Sequence, residues 1–180
     1  MHKFIASAVA AVVAMGASVP ALADSKEAAA FVLRTCLAAM DDLSAVEVMG
    51  RQGNWLALPR NPAIDRSLVA PGSDWRVNKF VVHTWTWIKD GAHDPTCFVA
   101  LLADTTIERD EFFKTISAAL ELKHVPDETD PRSGGAQQRL RIETYDIKSD
   151  APDKVEFKMS VLSDGTVSSA MFLKVRSADR

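Results

Sequence analysis

Reactive-centre motifs are missing from this sequence. It has no G-x-S-x-G nucleophile elbow, no S-x-x-K and no C-x-x-C,. It also lacks H-E-x-x-H, G-x-G-x-x-G and the phosphate-cradling G-x-x-x-x-G-K,. These absences remove the motif-bearing hydrolases, zinc peptidases, dinucleotide enzymes and P-loop proteins, and they leave only active sites assembled from scattered residues. A basic excess is missing too. The formal net charge is −3, and Arg132, Arg139 and Arg141 are interleaved with acids, so nucleic-acid binding is not expected. Internal repeats and low-complexity tracts do not occur after the first residues.

Long hydrophobic runs are limited to one. Met1-His2-Lys3 is short and cationic, Phe4–Val19 is apolar or small, Pro20 interrupts, and Ala21-Leu22-Ala23 presents small residues for cleavage. This is the three-part pattern of a secretory signal peptide, and the run is shorter than the roughly 20 residues a bilayer span needs. The expected division is a cleavable signal peptide at 1–23 and a single domain at 24–180, periplasmic or secreted, with no stable membrane insertion after cleavage. No cysteine adjoins Ala23 and no twin arginine precedes the apolar run, so export through the general route, unfolded and without lipid, is expected. A chain exported unfolded carries no cofactor loaded in the cytoplasm, and none is expected here.

Cysteine is scarce. Cys36 and Cys97 are the only two, and in an oxidising compartment an isolated pair reads as a disulfide. A loop of this length gives about 4 kcal/mol in the chain-entropy treatment.

Hydrophobic periodicity then supplies the elements. Asp24 caps a first helix, with Glu27 in capping-box position and Ala28, Phe31, Val32, Thr35, Cys36, Ala39 and Met40 on one stripe,. Ser44 and Glu47 signal a second helix ending at Gly50 or Gly53. Residues 54–74, punctuated by Pro59, Pro62 and Pro71, read as a surface connection with one short strand near Trp55–Leu58. Residues 76–88 are β-branched and aromatic and read as a strand. Lys89–Pro95 reads as a turn, and Thr96–Leu102 as an apolar central strand with both faces covered,. A third helix is expected from Asp104 or Thr105, with Lys123 and His124 at its end and Pro126 as its stop. Residues 125–138 are polar and aperiodic. Strands around Leu140–Thr144, Val155–Val161 and Thr166–Arg176 complete the chain, the last two joined at Asp164-Gly165. The expected fold is α+β: a single antiparallel sheet of about five strands packed against two or three helices, in the order α-α-β-β-α-β-β-β.

For function, the tryptophans are the informative residues. Trp85 and Trp87 alternate on one strand and share a face with His83 and Val81, while Phe80, Val82, Thr84, Thr86 and Ile88 take the other,. If helices cover only the Phe80 face, His83, Trp85 and Trp87 form a candidate binding surface for an envelope protein or a glycan, and if both sides of the sheet are covered they are core. The leading expectation is therefore a non-catalytic binding or interaction protein of the bacterial envelope. The alternatives are an envelope-acting hydrolase near residues 124–138 with His93 or His124 as base, and a metal-handling protein using His83, His93 and a free Cys97. No residue is assigned as catalytic, and none as a metal ligand.

Overall fold

A computed structural model describes residues 24–59, 69–89, 92–102, 105–126, 140–148 and 153–175. The expected signal peptide at 1–23 lies outside the described residues. Asp24 caps the first helix, α1 (Ser25–Asp41), through its side chain, which accepts from the Lys26 amide at 2.9 Å. Every residue of the stripe read from the sequence is buried. After one turn the chain enters α2 (Ser44–Gln52), which ends at Gly53. Ser44 does not cap α2. Instead Asp42 accepts from both the amide and the hydroxyl of Ser44, at 2.8 and 2.6 Å, so the acid two residues earlier takes the capping role.

The rest of the described residues form a third helix and one antiparallel sheet. Its strands are β1 (Leu56–Ala57), β2 (Val69–Val77), β3 (Phe80–Lys89), β4 (Ala92–Leu101), β5 (Leu122–Val125), β6 (Leu140–Ile147), β7 (Lys154–Leu162) and β8 (Val167–Val175), with α3 (Arg109–Ala119) between β4 and β5. The spatial order is β1-β2-β3-β4-β8-β7-β6-β5. Two four-stranded meanders thus meet along β4 and β8, with Cys97 opposite Phe172 and Val99 opposite Ala170.

The expectation of about five strands is corrected to eight, and the order to α-α-β-β-β-β-α-β-β-β-β. The added strands are β1, β2 and β5, and three local effects shape the sheet where it departs from expectation. β2 runs through Pro71-Gly72-Ser73, which reads as a turn in sequence but is a bulge between Pro71 and Asp74,. Gly72 is required there, since a Cβ would fall 2.3 Å from the Thr84 carbonyl oxygen,. Pro95 lies inside β4, opposite Thr86. β8 pairs with β4 only from Thr96 onward, so the missing proline N–H costs no ladder bond on that side. At the end of α3, Leu122–Val125 leave the helix and pair with Thr144–Ile147 as β5. His124 is therefore a strand residue rather than a helix end. The start of α3 is also later than expected, because Ile107 accepts from the Val167 amide at 2.8 Å and Glu108 bridges Thr166, holding the chain extended.

All three helices lie on one face of the sheet. Phe31 of α1 stacks on Phe80 of β3 with ring centroids 4.6 Å apart. Gly50 of α2 meets the Trp75 ring of β2, where a Cβ would come within 2.6 Å. Phe113 of α3 lies 4.8 Å from the Tyr145 ring of β6. Between these contacts Val46, Val82, Val99, Ile116, Phe157, Met159 and Phe172 fill the core. The Cys36–Cys97 disulfide joins α1 to β4 in the middle of that layer, with both residues fully buried and Cα atoms 5.3 Å apart.

The Cys36→Ala/Cys97→Ala variant is expected to lose about 4 kcal/mol of stability, the chain-entropy value for a closed loop of this length. Urea unfolding of the variant and the oxidised protein measures the difference. A loss below about 1 kcal/mol would show that the packing of α1 alone holds the layer.

Candidate functional site

Alternation along β3 sends Phe80, Val82 and Thr84 toward the helices and His83, Trp85 and Trp87 to the opposite face, which is helix-free among the described residues,. The register carries that face across the sheet. His83 is opposite Asp74 on β2 and Phe98 on β4, Phe98 is opposite Met171 on β8, and Trp85 is opposite Thr96, itself opposite Leu173. The outcome is a contiguous aromatic and aliphatic surface at the centre of the sheet. Phe98, Met171 and Leu173 are half-buried, Thr96 is shielded by its larger neighbours, and Trp87 at the end is 43% exposed. β4 is central, as expected from its composition, but among the described residues helices cover only one of its faces.

The rings do not share a plane. Trp85 and Trp87 meet edge to face, 6.4 Å apart at 79°, and Trp85 and Phe98 are tilted by 49° at 6.2 Å. Beside them His83 Nδ1 lies 2.9 Å from Asp74 Oδ1. With the carboxylate as acceptor, the ring proton sits on Nδ1, and in the neutral imidazole Nε2 is left as an acceptor. The surface therefore combines broad apolar contact with one oriented hydrogen-bonding group. Sequence reasoning misses Asp74, Phe98, Met171 and Leu173 as members of this surface. The i, i+2 alternation of Thr96, Phe98 and Ala100 is the signal that places Phe98.

A second polar cluster lies on the helix side, where α3 begins. Glu143 of β6 is buried, with a side chain only 6% exposed. It accepts from Arg109 Nη2 at 2.6 Å, from the Tyr145 hydroxyl at 2.8 Å and from Arg141. Burial pushes the Glu143 carboxyl up, but hydrogen bonds from Arg109 and Tyr145 outweigh it and hold the group below its ordinary range,. Burial, with the same carboxylate, pushes Tyr145 up to about 12. The hydrogen bond to Glu143 raises Arg109 further above its ordinary value. Arg109 also lies 4.8 Å above the Phe113 ring,. Every member is satisfied within the cluster, which makes it a clamp between α3 and β6. The pair of alternating polar residues Glu143 and Tyr145, the only tyrosine in the chain, is its sequence trace.

The other sequence candidates are dispersed. Cys97 is committed to the disulfide. His93 lies on β4 rather than in a turn, and its parity places it on the face opposite His83, so the His83, His93 and Cys97 set is not assembled. Among the described residues no group of three or more His, Cys, Asp and Glu side chains stands close enough to hold a metal ion. His124 packs edge-on against Tyr145 at 5.3 Å. Most of the 124–138 segment lies outside the described residues. No helix among the described residues is long and apolar enough to cross a membrane. No known protein family, curated protein or solved structure matches the chain.

Glu143→Gln keeps the shape of the clamp and removes its charge, with an expected cost of about 2 kcal/mol, the range for hydrogen bonds to charged groups. Because the folded carboxyl titrates below its ordinary value, its contribution is complete above the unfolded pKa and is lost as pH falls through the depressed one,. Denaturation followed from neutral pH down into the acid range should therefore show the wild-type advantage over the variant shrinking on acidification. An advantage that grows toward low pH would contradict the clamp.

Proposed function

We propose that this is an exported, non-catalytic binding protein of the bacterial envelope, whose helix-free sheet face docks another protein. The observation that carries the reading is the exposed Trp87, at the end of a continuous apolar surface that includes Trp85, Phe98, Met171 and Leu173. Contiguous apolar surface rimmed by polar groups is typical of interaction sites, and tryptophan is enriched among the residues that dominate binding energy. A protein partner is favoured over a glycan by ring geometry. A sugar ring stacks on a flat aromatic platform, whereas Trp85 and Trp87 stand 79° apart. The apolar area also continues over two further strands, as a protein contact requires. His83, oriented by Asp74, supplies a directional contact at the rim of the tryptophans.

Export is part of the same reading. The buried disulfide fits an oxidising compartment,, and the leader at 1–23 supplies the route. The periplasmic or secreted location rests on these two features together.

The test uses the protein expressed with its full sequence, purified and immobilised, and challenged with envelope extract. The wild type is expected to retain a protein that Trp87→Ala retains at least about tenfold less, equivalent to one hot-spot side chain. Val48→Ala, on the exposed surface of α2, serves as the control and should bind as the wild type does. Trp87→Ala should unfold within about 1 kcal/mol of the wild type, since much of that ring is already in water. Equal retention by all three proteins would refute the docking face. Retention of purified glycan with no protein captured would transfer the site to the sugar reading.

A further inference from the structure

Exposed large apolar side chains are unevenly distributed over the molecule. Among the described residues they are Val48, Leu56, Trp87, Leu140, Ile142 and Leu162. Of these, Val48 alone belongs to a helix. Leu56 is opposite Arg76, which is opposite Val81, and Val81 shares the parity of Trp85 and Trp87,. Leu140 is opposite Leu162, and Ile142 is opposite Ser160, while Arg141 and Glu143 alternate onto the helix side with Arg109. Five of the six therefore stand on the face that carries the tryptophans.

One cross-strand row connects them. It runs from Leu56 and Arg76 through Val81, Ala100, Ser169 and Ser160 to Ile142, each residue opposite the next. Arg76 is the one charge in the row, and it makes no ion pair among the described residues. The charges that β6 and β7 add to this face lie beside the row and are matched among themselves. Glu156 holds Lys154 at 3.1 Å and Lys158 at 3.3 Å, and Asp146 holds Lys154 at 2.9 Å. Two acids against two lysines leave that flank neutral, so it calls for no charged partner.

We propose that a single folded partner domain covers this face from Leu56 to Ile142 and up to Trp87, with a broad and largely uncharged surface. The inference rests on the docking reading above and specifies the partner. Its carrying observation is that the exposed apolar groups mark three corners that do not lie on a line. Leu56 and Ile142 are six strand intervals apart, roughly 29 Å measured over the sheet. Trp87 stands six residues along β3 from Val81, off that row by roughly 20 Å. A single helix or extended peptide laid across the sheet reaches two of these corners and leaves the third in water. One partner's share of a standard interface, about 800 Å², is about 30 Å across and encloses all three. The free Arg76 guanidinium adds a place for one acidic group of the partner at the row's outer end.

The probe is the protein that the wild type retains from envelope extract, eluted, purified and titrated against each variant. Ile142→Lys and Leu56→Lys, at opposite ends of the row, are each expected to weaken binding by about tenfold or more, as Trp87→Ala does. Both side chains are already exposed, so the far-UV spectrum and unfolding midpoint should stay those of the wild type. Val48→Lys, on the helix layer, should bind as the wild type does. A tenfold rise in salt should change the affinity by less than about threefold, because the flank is neutral. A tryptic digest of the partner should not bind. If Trp87→Ala loses the partner while Ile142→Lys or Leu56→Lys keeps it, the docking face stands and the broad footprint is overturned. A partner peptide that binds as tightly as the intact protein, or a steep salt dependence, overturns it equally. No retention by the wild type, or equal retention by Trp87→Ala, removes both readings.

Discussion

The position of α1 across β4 is the constraint on which the rest of this fold depends. Cys36 and Cys97 are both fully buried, and the bond between them closes a sequence separation of 61 residues. It fastens the N-terminal helix near the seam where the two meanders meet. That seam, β4 beside β8, is where the halves of the sheet share a ladder. A helix held over it shields Val99, Ala170 and Phe172 from water, and among the described residues no helix lies on the reverse side of the same strands. An antiparallel sheet with one side packed normally turns polar residues to water, and β7 does so with Lys154, Glu156 and Lys158. At the centre of the sheet β3 and β4 do not, and the departure marks the surface around Trp85 and Trp87.

The outer strands of the second meander are secured differently. There the helix layer reaches β6 through α3, and the junction is ionic as well as apolar. Glu143 is buried against Arg109, Tyr145 and Arg141, a group whose partners satisfy it fully and so limit the cost of taking it out of water. Ser25 at the start of α1 also accepts from the Glu108 amide at 3.0 Å, linking the first and third helices where the clamp begins. The helix layer is thus tied to the sheet by specific bonds, a covalent one at its middle and a charged one at the α3 end, with apolar packing between them.

Local signals in the sequence match the structure wherever neighbouring residues in the chain enforce them. The α1 stripe from Ala28 to Met40 and the β7–β8 hairpin at Asp164-Gly165 are of this kind. In the hairpin Gly165 takes φ of +85° and Asp164 accepts from the Thr166 amide at 2.9 Å, so the turn is built by its own residues. The two part where a distant strand overrides a local preference. Pro71 and Gly72 resemble a turn until Thr84 is placed against them, and Leu122–Val125 continue a helical pattern until β6 offers them an edge. In the Arg109–Glu143–Tyr145 cluster the Glu143 and Tyr145 alternation is visible in the chain, but Arg109 joins them from more than thirty positions away, and no spacing announces that partner.

The amino-acid order alone determined the features that short-range chemistry controls. It set the leader pattern, the inward stripe that carries Cys36, the scarcity of thiols that leaves Cys97 as the one available mate, and the parity that puts His83, Trp85 and Trp87 on a common side. Tertiary structure decided which side that would be. Alternation divides a strand into two faces but does not say which one the helices will cover, because that depends on packing between elements far apart in the chain. The same holds for the strand count, the bulge at Gly72 and the short pairing of β5, each of which exists only once a neighbouring strand is in place.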